Sequence, residues 1–206
     1  MLAPDVRLEV WSDVVCPWCY IGKRKMESAL EAWDGEPVEV RWRPFQLDPG
    51  SPNDGAPMTE ALAAKFGGAD AVKAAHSRVQ EVAAGVGLEY HLDKTRQVNT
   101  LDAHKLISLG YEQGVQGAVQ ERFFRANFTE GQHLGDPEVL VKLAADAGLT
   151  GAEEALHDEA LTARIRQELA EGIAIGVRSV PTFVVGNRGV SGAQDSSVIL
   201  ELLRGA

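Results

Sequence analysis

The sequence predicts an α/β fold in which a β-α-β unit and a later β-β-α unit are separated by a large, all-helical insertion. Three observations predict it. Two alternating apolar segments, residues 6–11 and 38–42, flank one helical segment. Residues 59–175 then carry helical spacing and no strand signal. The strand signal returns at residues 181–185, followed by a Gly-Asn turn and a last amphipathic helix.

Each element has a local reason. In the first strand Val6, Leu8 and Val10 share one face, with Arg7 and Glu9 on the other. A turn leads into Cys16-Pro17-Trp18-Cys19. Proline suits the first helical position, where its missing N–H would have no partner. The helix therefore starts at Pro17 with Cys16 as N-cap. It runs to about Trp33 on a stripe of Met26, Leu30 and Trp33, and Asp34-Gly35-Glu36-Pro37 stops it. Residues 38–42 alternate again, and parallel pairing with the first strand completes a βαβ unit. Residues 44–57, rich in Pro, Gly, Asn and Asp, read as a loop.

Within the insertion, Val72, Ala75, Val79, Val82 and Val86 step at helical spacing, as do Val115, Ala118, Val119, Arg122 and Phe123. Asp136-Pro137 opens a helix that Gly148 closes. Thr150 with Glu153 reads as a capping box. Leu161, Ile165, Leu169 and Ile173 line a last long helix closed by Gly176. Gly186-Asn187-Arg188-Gly189 is the expected hairpin turn, Val190 begins a short partner strand, and Asp195 caps a terminal helix with Ile199, Leu200 and Leu203 inside. With the insertion removed, this order is that of a thioredoxin-like fold. The expected boundaries are 1–57 and 176–206 for the thioredoxin-like domain and 58–175 for the helical insertion domain.

Composition sets outer bounds. A chain of 206 residues buries roughly 70% of its unfolded surface and needs no disulfide or metal staple. Hydrophobic residues at 45% and charged residues at 24% exclude a disordered or collagen-like chain. Acids outnumber bases 30 to 20, so a basic footprint for nucleic acid or an anionic membrane is absent. No apolar run approaches the ~20 residues of a spanning helix, and Met1-Leu2-Ala3-Pro4-Asp5 shows no basic-then-apolar leader pattern. The expected location is the cytoplasm.

In that reducing setting the two cysteines, Cys16 and Cys19, are not a structural staple. A tetrahedral metal site wants four ligands, and there is no third cysteine, with His76 the nearest histidine in sequence; no metal is expected. Redox chemistry fits better. A helix N-terminus concentrates free N–H groups and positive potential, so a thiolate at Cys16 is stabilised there. The Cys19 amide is the expected donor to it. Cys16 is then the presented, attacking thiol, and Cys19, deeper along the helix, the resolving thiol.

Other positions carry weaker signals. Pro181 belongs at a strand start or edge. In the redox reading it faces Cys16, and the exposed backbone of Val180 pairs with an extended substrate. Trp18 and Pro17 form an apolar rim for substrate. Asp13 is a proton-carrier candidate, with a turn or capping role the plainer reading. Lys23, Arg24 and Lys25 read as a solvated face. Asn99-Thr100 and His104 are cleft candidates, with a helix cap and a satisfied histidine as the plainer reading. His76, His91, His133 and His157 show no ligand spacing.

Trp11-Ser12-Asp13-Val14-Val15-Cys16-Pro17-Trp18-Cys19-Tyr20-Ile21-Gly22-Lys23 resembles the active-site segment of DsbA-family proteins of the FrnE type. Trp42-Arg43-Pro44-Phe45, Asn99-Thr100 with Ala103-His104, Val180-Pro181-Thr182-Phe183 and Ser191-Gly192-Ala193-Gln194 extend the resemblance along nearly the whole chain. It implies a thioredoxin fold interrupted by helices, thiol–disulfide oxidoreductase activity, and a cis Pro181 beside the Cys16–Cys19 pair. Kappa-type glutathione transferases and 2-hydroxychromene-2-carboxylate isomerases share the superfamily and typically carry serine at the position of Cys16. The alternative function is thus a glutathione-dependent isomerase or transferase in polyketide or aromatic metabolism, with Asn99 and Val180 helping to hold glutathione. A third class is a non-catalytic binding module. The expected partners are protein or small-molecule thiols and disulfides, with glutathione as a co-substrate. No cofactor beyond the redox-active pair is expected, and the assembly is a monomer or homodimer.

Overall fold

A computed structural model of the chain describes residues 6–205. The outermost parts of the expected boundaries, residues 1–5 and 206, lie outside the described residues. The sheet order is β2-β1-β3-β4, from β1 (Val6–Ser12), β2 (Val38–Pro44), β3 (Thr182–Val185) and β4 (Arg188–Ser191). β1 and β2 are parallel, in register from Val6↔Val38 to Ser12↔Pro44. A parallel pair needs a crossover, and α1 (Pro17–Glu31) supplies it. β3 returns antiparallel to β1, with Leu8 opposite Val185 and Trp11 opposite Thr182. β1 and β3 are the central strands and β2 and β4 the edges; in β1 the buried Leu8 and Val10 recur at every second position.

Between β2 and β3 lie α2 (Met58–Phe66), α3 (Ala69–Gly85), a short 3-10 turn (Leu92–Lys94), α4 (Leu101–Glu112), α5 (Gln116–Phe128), α6 (Pro137–Asp146), α7 (Ala152–Leu156) and α8 (Glu159–Ala174). α9 (Ser196–Arg204) ends the described chain and packs on α1. α4, α5 and α8 pack on β2. The α8 contact is close: Gly172 lies against the Trp11 ring, leaving no room for a side chain. The Arg43 guanidinium covers that ring at 4.8 Å and ties Glu9 of β1 to Glu168 and Glu171 of α8.

Several local expectations are corrected. The hairpin turn is only Gly186-Asn187, with Gly186 at φ 59°, because Arg188 and Gly189 already pair with β3. Thr150 and Glu153 form no capping box: Gly151 is the N-cap of α7, and Thr150 bonds to Gln113. Asp195 precedes α9 without capping it; its carboxylate pairs with Lys25. Ala75, Ala118 and Ile173 face solvent, since the helices turn by about 100° per residue and Val72, Val119 and Gly172 already fill the inner face. Among the described residues no helix is long and apolar enough to cross a membrane.

Candidate active site

The site is built where β1 runs into α1. Asp13, Val14 and Val15 turn the chain, and the Cys16 amide donates to the Asp13 carbonyl at 3.0 Å. Cys16 is the N-cap of α1 in extended conformation, and Pro17 occupies the first helical turn. The two cysteines are unbonded. Two expectations change here. Cys16 is 4% exposed, so it is a recessed thiol rather than a presented one. The Cys19 amide is bonded to the carbonyl of Cys16, not to its sulfur, because the tight first turn closes on the backbone.

The Cys16 thiol instead donates to the carbonyl of Val180, at 3.5 Å. The Val180–Pro181 peptide is cis. Val180 is buried, so its carbonyl faces sulfur rather than open solvent. The Pro181 carbonyl accepts from the Gly192 amide at 2.7 Å. Gly22, one turn beyond Cys19, gives Pro181 its seat: a Cβ there would lie 2.8 Å from Pro181 Cγ and 3.3 Å from Phe183 Cζ. Cys16, Cys19, Val180 and Pro181 thus converge, while Trp18 stays at the rim, 37% exposed.

Cys19 is fully buried. Burial, then the hydrogen bond and charge of Cys16, push its thiol well up; the Asp13 amide and the Ser12 hydroxyl oppose this. The pair is therefore asymmetric, with one sulfur held as a neutral thiol behind the other.

Asp13 is fully buried. One carboxylate oxygen accepts from the Leu47 amide at 2.8 Å, and the other lies 3.3 Å from Nε2 of His104. That nitrogen is 2.9 Å from the Phe45 carbonyl, the better-aligned partner. Asp13 and His104 therefore pin the loop after β2 to the redox turn. Asn99 joins neither thiol: its side chain bonds Gln46, the Pro49 carbonyl and the Leu101 amide, and so shapes the same loop.

The basic run is not a solvated face. Lys23 is buried and pairs with Glu27 and Glu121, and Arg24 reaches Glu121 at 2.5 Å. The Tyr20 hydroxyl also donates to Glu121, at 2.6 Å. Burial pushes the Glu121 carboxyl up, but its bonds from Arg24, Lys23 and Tyr20 outweigh burial and take it down to about 2.

Sequence reasoning missed a row of amides on α5. Gln116 bonds both the amide and the carbonyl of Trp42, Gln120 donates to the Ser12 hydroxyl, and Asn127 donates to the Val14 carbonyl. Their spacing along α5, one helical turn from 116 to 120 and two from 120 to 127, is the available signal. Tyr90 was missed too. Its hydroxyl donates to the Pro17 carbonyl at 2.6 Å.

An apolar cavity of about 320 Å³ opens beside the pair. Leu47, Met58, Leu62, Phe66, Val79 and Leu92 line it, and it ends at Val15 and Pro17. That size falls at the lower end of small-molecule pockets.

The family model described as DSBA-like thioredoxin domain matches residues 7–204. The probable DsbA oxidoreductase SCO1869 from Streptomyces coelicolor is similar in structure, with a TM-score of 0.90 and 37% identity, over 97% of this chain and 89% of that one. The uncharacterised protein YwbO of Bacillus subtilis (strain 168) is 29% identical over 94% of this chain and 93% of its own. The cytosolic disulfide reductase DsbM from Pseudomonas aeruginosa, in its structure with GSH, shares the fold at a TM-score of 0.65 and 19% identity, over 97% and 94% of the two chains.

Proposed function

Because this chain belongs to the DSBA-like thioredoxin domain family, we propose that its Cys16–Cys19 pair exchanges a disulfide with protein or small-molecule thiols. One observation carries the assignment of roles: the recessed Cys16 sits at a helix N-terminus against the Val180 carbonyl, with a neutral, buried Cys19 behind it.

In the reductive direction the Cys16 thiolate attacks one sulfur of a substrate disulfide. The substrate S–S bond breaks, one thiolate leaves, and Cys16 is joined to the other sulfur. Cys19 then gives up its proton and attacks the Cys16 sulfur. The mixed disulfide breaks, the second substrate thiolate leaves, and Cys16–Cys19 closes. Two electrons pass to the substrate. Oxidation of a dithiol runs the same steps backwards.

The high proton affinity of Cys19 keeps it from competing as the first nucleophile. Asp13 lies against the same turn, and we assign it and His104 to holding the loop that borders the site. Trp18 and the cavity behind Pro17 offer apolar surface to the group carried by the substrate sulfur. Glutathione is the small thiol we place in the cycle, in keeping with the GSH in the DsbM structure, and the same cytosolic neighbour favours a cytoplasmic setting.

The test is turnover of insulin disulfides and of a dithiol peptide by the wild-type chain and by Cys16→Ser. Loss of both activities in the variant supports the assignment; activity unchanged in the variant rejects it.

A further inference from the structure

We infer that Tyr90, contributed by the helical insertion, is a positioning residue that tunes the Cys16 thiolate through the peptide group linking Pro17 to Trp18. The geometry is a relay across one peptide. Tyr90 donates its hydroxyl to the Pro17 carbonyl at 2.6 Å. The other end of that same peptide is the Trp18 N–H, the second amide position of the helix that Cys16 caps, and N–H groups of a helix's first turn are directed toward its N-terminus. Of the first three helical positions, Pro17 has no N–H and the Cys19 amide is bound to the Cys16 carbonyl at 3.0 Å. The Trp18 amide is therefore the one left for the sulfur.

In the thiol form Cys16 donates to Val180. Once ionised it is an acceptor only, and the Val180 carbonyl no longer attracts it. The Trp18 N–H then becomes its partner. A donor on the carbonyl of a peptide polarises that peptide and strengthens the bond its N–H makes. Tyr90 thus favours the thiolate without touching it.

Tyr90 is well placed for this work. It is 5% exposed and stacks on Phe128 at 5.0 Å, and its own carbonyl accepts from Gln80. Burial, then the charges of Cys16, Tyr20 and Cys19, push its phenol far up, so it stays a donor at any working pH. The titratable groups whose charge bears on this phenol are Cys16 at the N-cap and Cys19, Tyr20 and Arg24 on α1; Asp13 lies in the turn before them, paired with His104 on α4, and Glu121 on α5 takes the Tyr20 hydroxyl.

What Tyr90 is for rests on the exchange chemistry proposed above; the thiolate effect can be read without it. The experiment follows iodoacetamide alkylation of Cys16 against pH in a Cys19→Ala background, for Tyr90 and Tyr90→Phe, with melting curves alongside. The expected result is a thiolate fraction lower by roughly threefold at a fixed pH in Tyr90→Phe, with the ring stack retained. Tyr20→Phe removes a hydroxyl from the same stack that serves Glu121 instead, and should leave the curve in place. Should Tyr90→Phe not fold, fluorotyrosine incorporated at Tyr90 alone, in a Tyr20→Phe, Tyr111→Phe background, makes a stronger donor and should raise the thiolate fraction. In the intact pair, Tyr90→Phe should also shift the glutathione equilibrium toward the Cys16–Cys19 disulfide by a similar factor. An unmoved alkylation curve in Tyr90→Phe or in the fluorotyrosine protein overturns the inference. Absent exchange by the wild-type chain would overturn the functional reading alone.

Discussion

The Cys16 sulfur lies 3.5 Å from the carbonyl oxygen of Val180, across 164 residues of sequence. This contact joins the start of α1 to the segment that enters β3 and brings the thiol pair and a backbone carbonyl to one point.

Roles within the pair should separate on substitution. Cys19→Ser should leave Cys16 able to attack but unable to resolve, so a mixed disulfide with a peptide substrate accumulates. Cys16→Ser should form none, because the remaining thiol is buried and holds its proton. Non-reducing electrophoresis after incubation with a disulfide-bonded peptide distinguishes the two.

Gly22→Ala should disturb the wall opposite Cys16. Overpacking against Pro181 and Phe183 costs about 1–3 kcal/mol, and the gain in helix propensity returns up to ~1 kcal/mol. The expected net is a modest loss in urea melts with a clearly slower exchange rate. A variant as fast and as stable as wild type would show that Pro181 has slack.

The Glu121 cluster sets an acid limit. Its carboxyl falls to about 2 in the folded chain, below the ~4.3 of an unfolded glutamate. A lowered folded value contributes stability that is complete above the unfolded value and is lost as pH falls toward the folded one. Allowing for solvent screening of a partly exposed group, the contribution is about 1–2 kcal/mol. Chemical denaturation between pH 5 and pH 2 should show a slope that Glu121→Gln flattens.

Gln116→Ala should destabilise more than a surface change. Both its amide atoms serve Trp42, one at 2.9 Å and one at 3.0 Å, and the site is buried. Leaving a peptide N–H and C=O without partners there costs about 2–4 kcal/mol. Equilibrium unfolding in urea measures it; a loss under ~0.5 kcal/mol would mean water replaces the side chain.

How much of this was readable in advance follows from the range of each interaction. Pro17 after Cys16, the alternation at Leu8 and Val10, and Asp136 before Pro137 act within one turn or one strand, and the structure places all three as their spacing implies. Lys23 was misjudged because its partner Glu121 is far along the chain; spacing shows a charge run, not the acid that folds onto it. Asp195 looked like a cap because nothing local reveals Lys25 as a competing partner. The Gln116, Gln120 and Asn127 amides were invisible for the same reason, since polar residues on a helix ordinarily face water and these face a sheet. Tyr90 sits between elements with no periodicity to mark it.

The most direct measurement is the mass of one tryptic peptide. Cleavage after Arg7 and after Lys23 releases residues 8–23, which hold both cysteines. The reduced full-length protein is equilibrated with a mildly oxidising glutathione buffer, acid-quenched, alkylated and digested. The account predicts a peptide lighter by two hydrogens and unalkylated, the product of a closed Cys16–Cys19 bond. A peptide that stays doubly alkylated, or that carries glutathione on its sulfurs without ever closing, would contradict it.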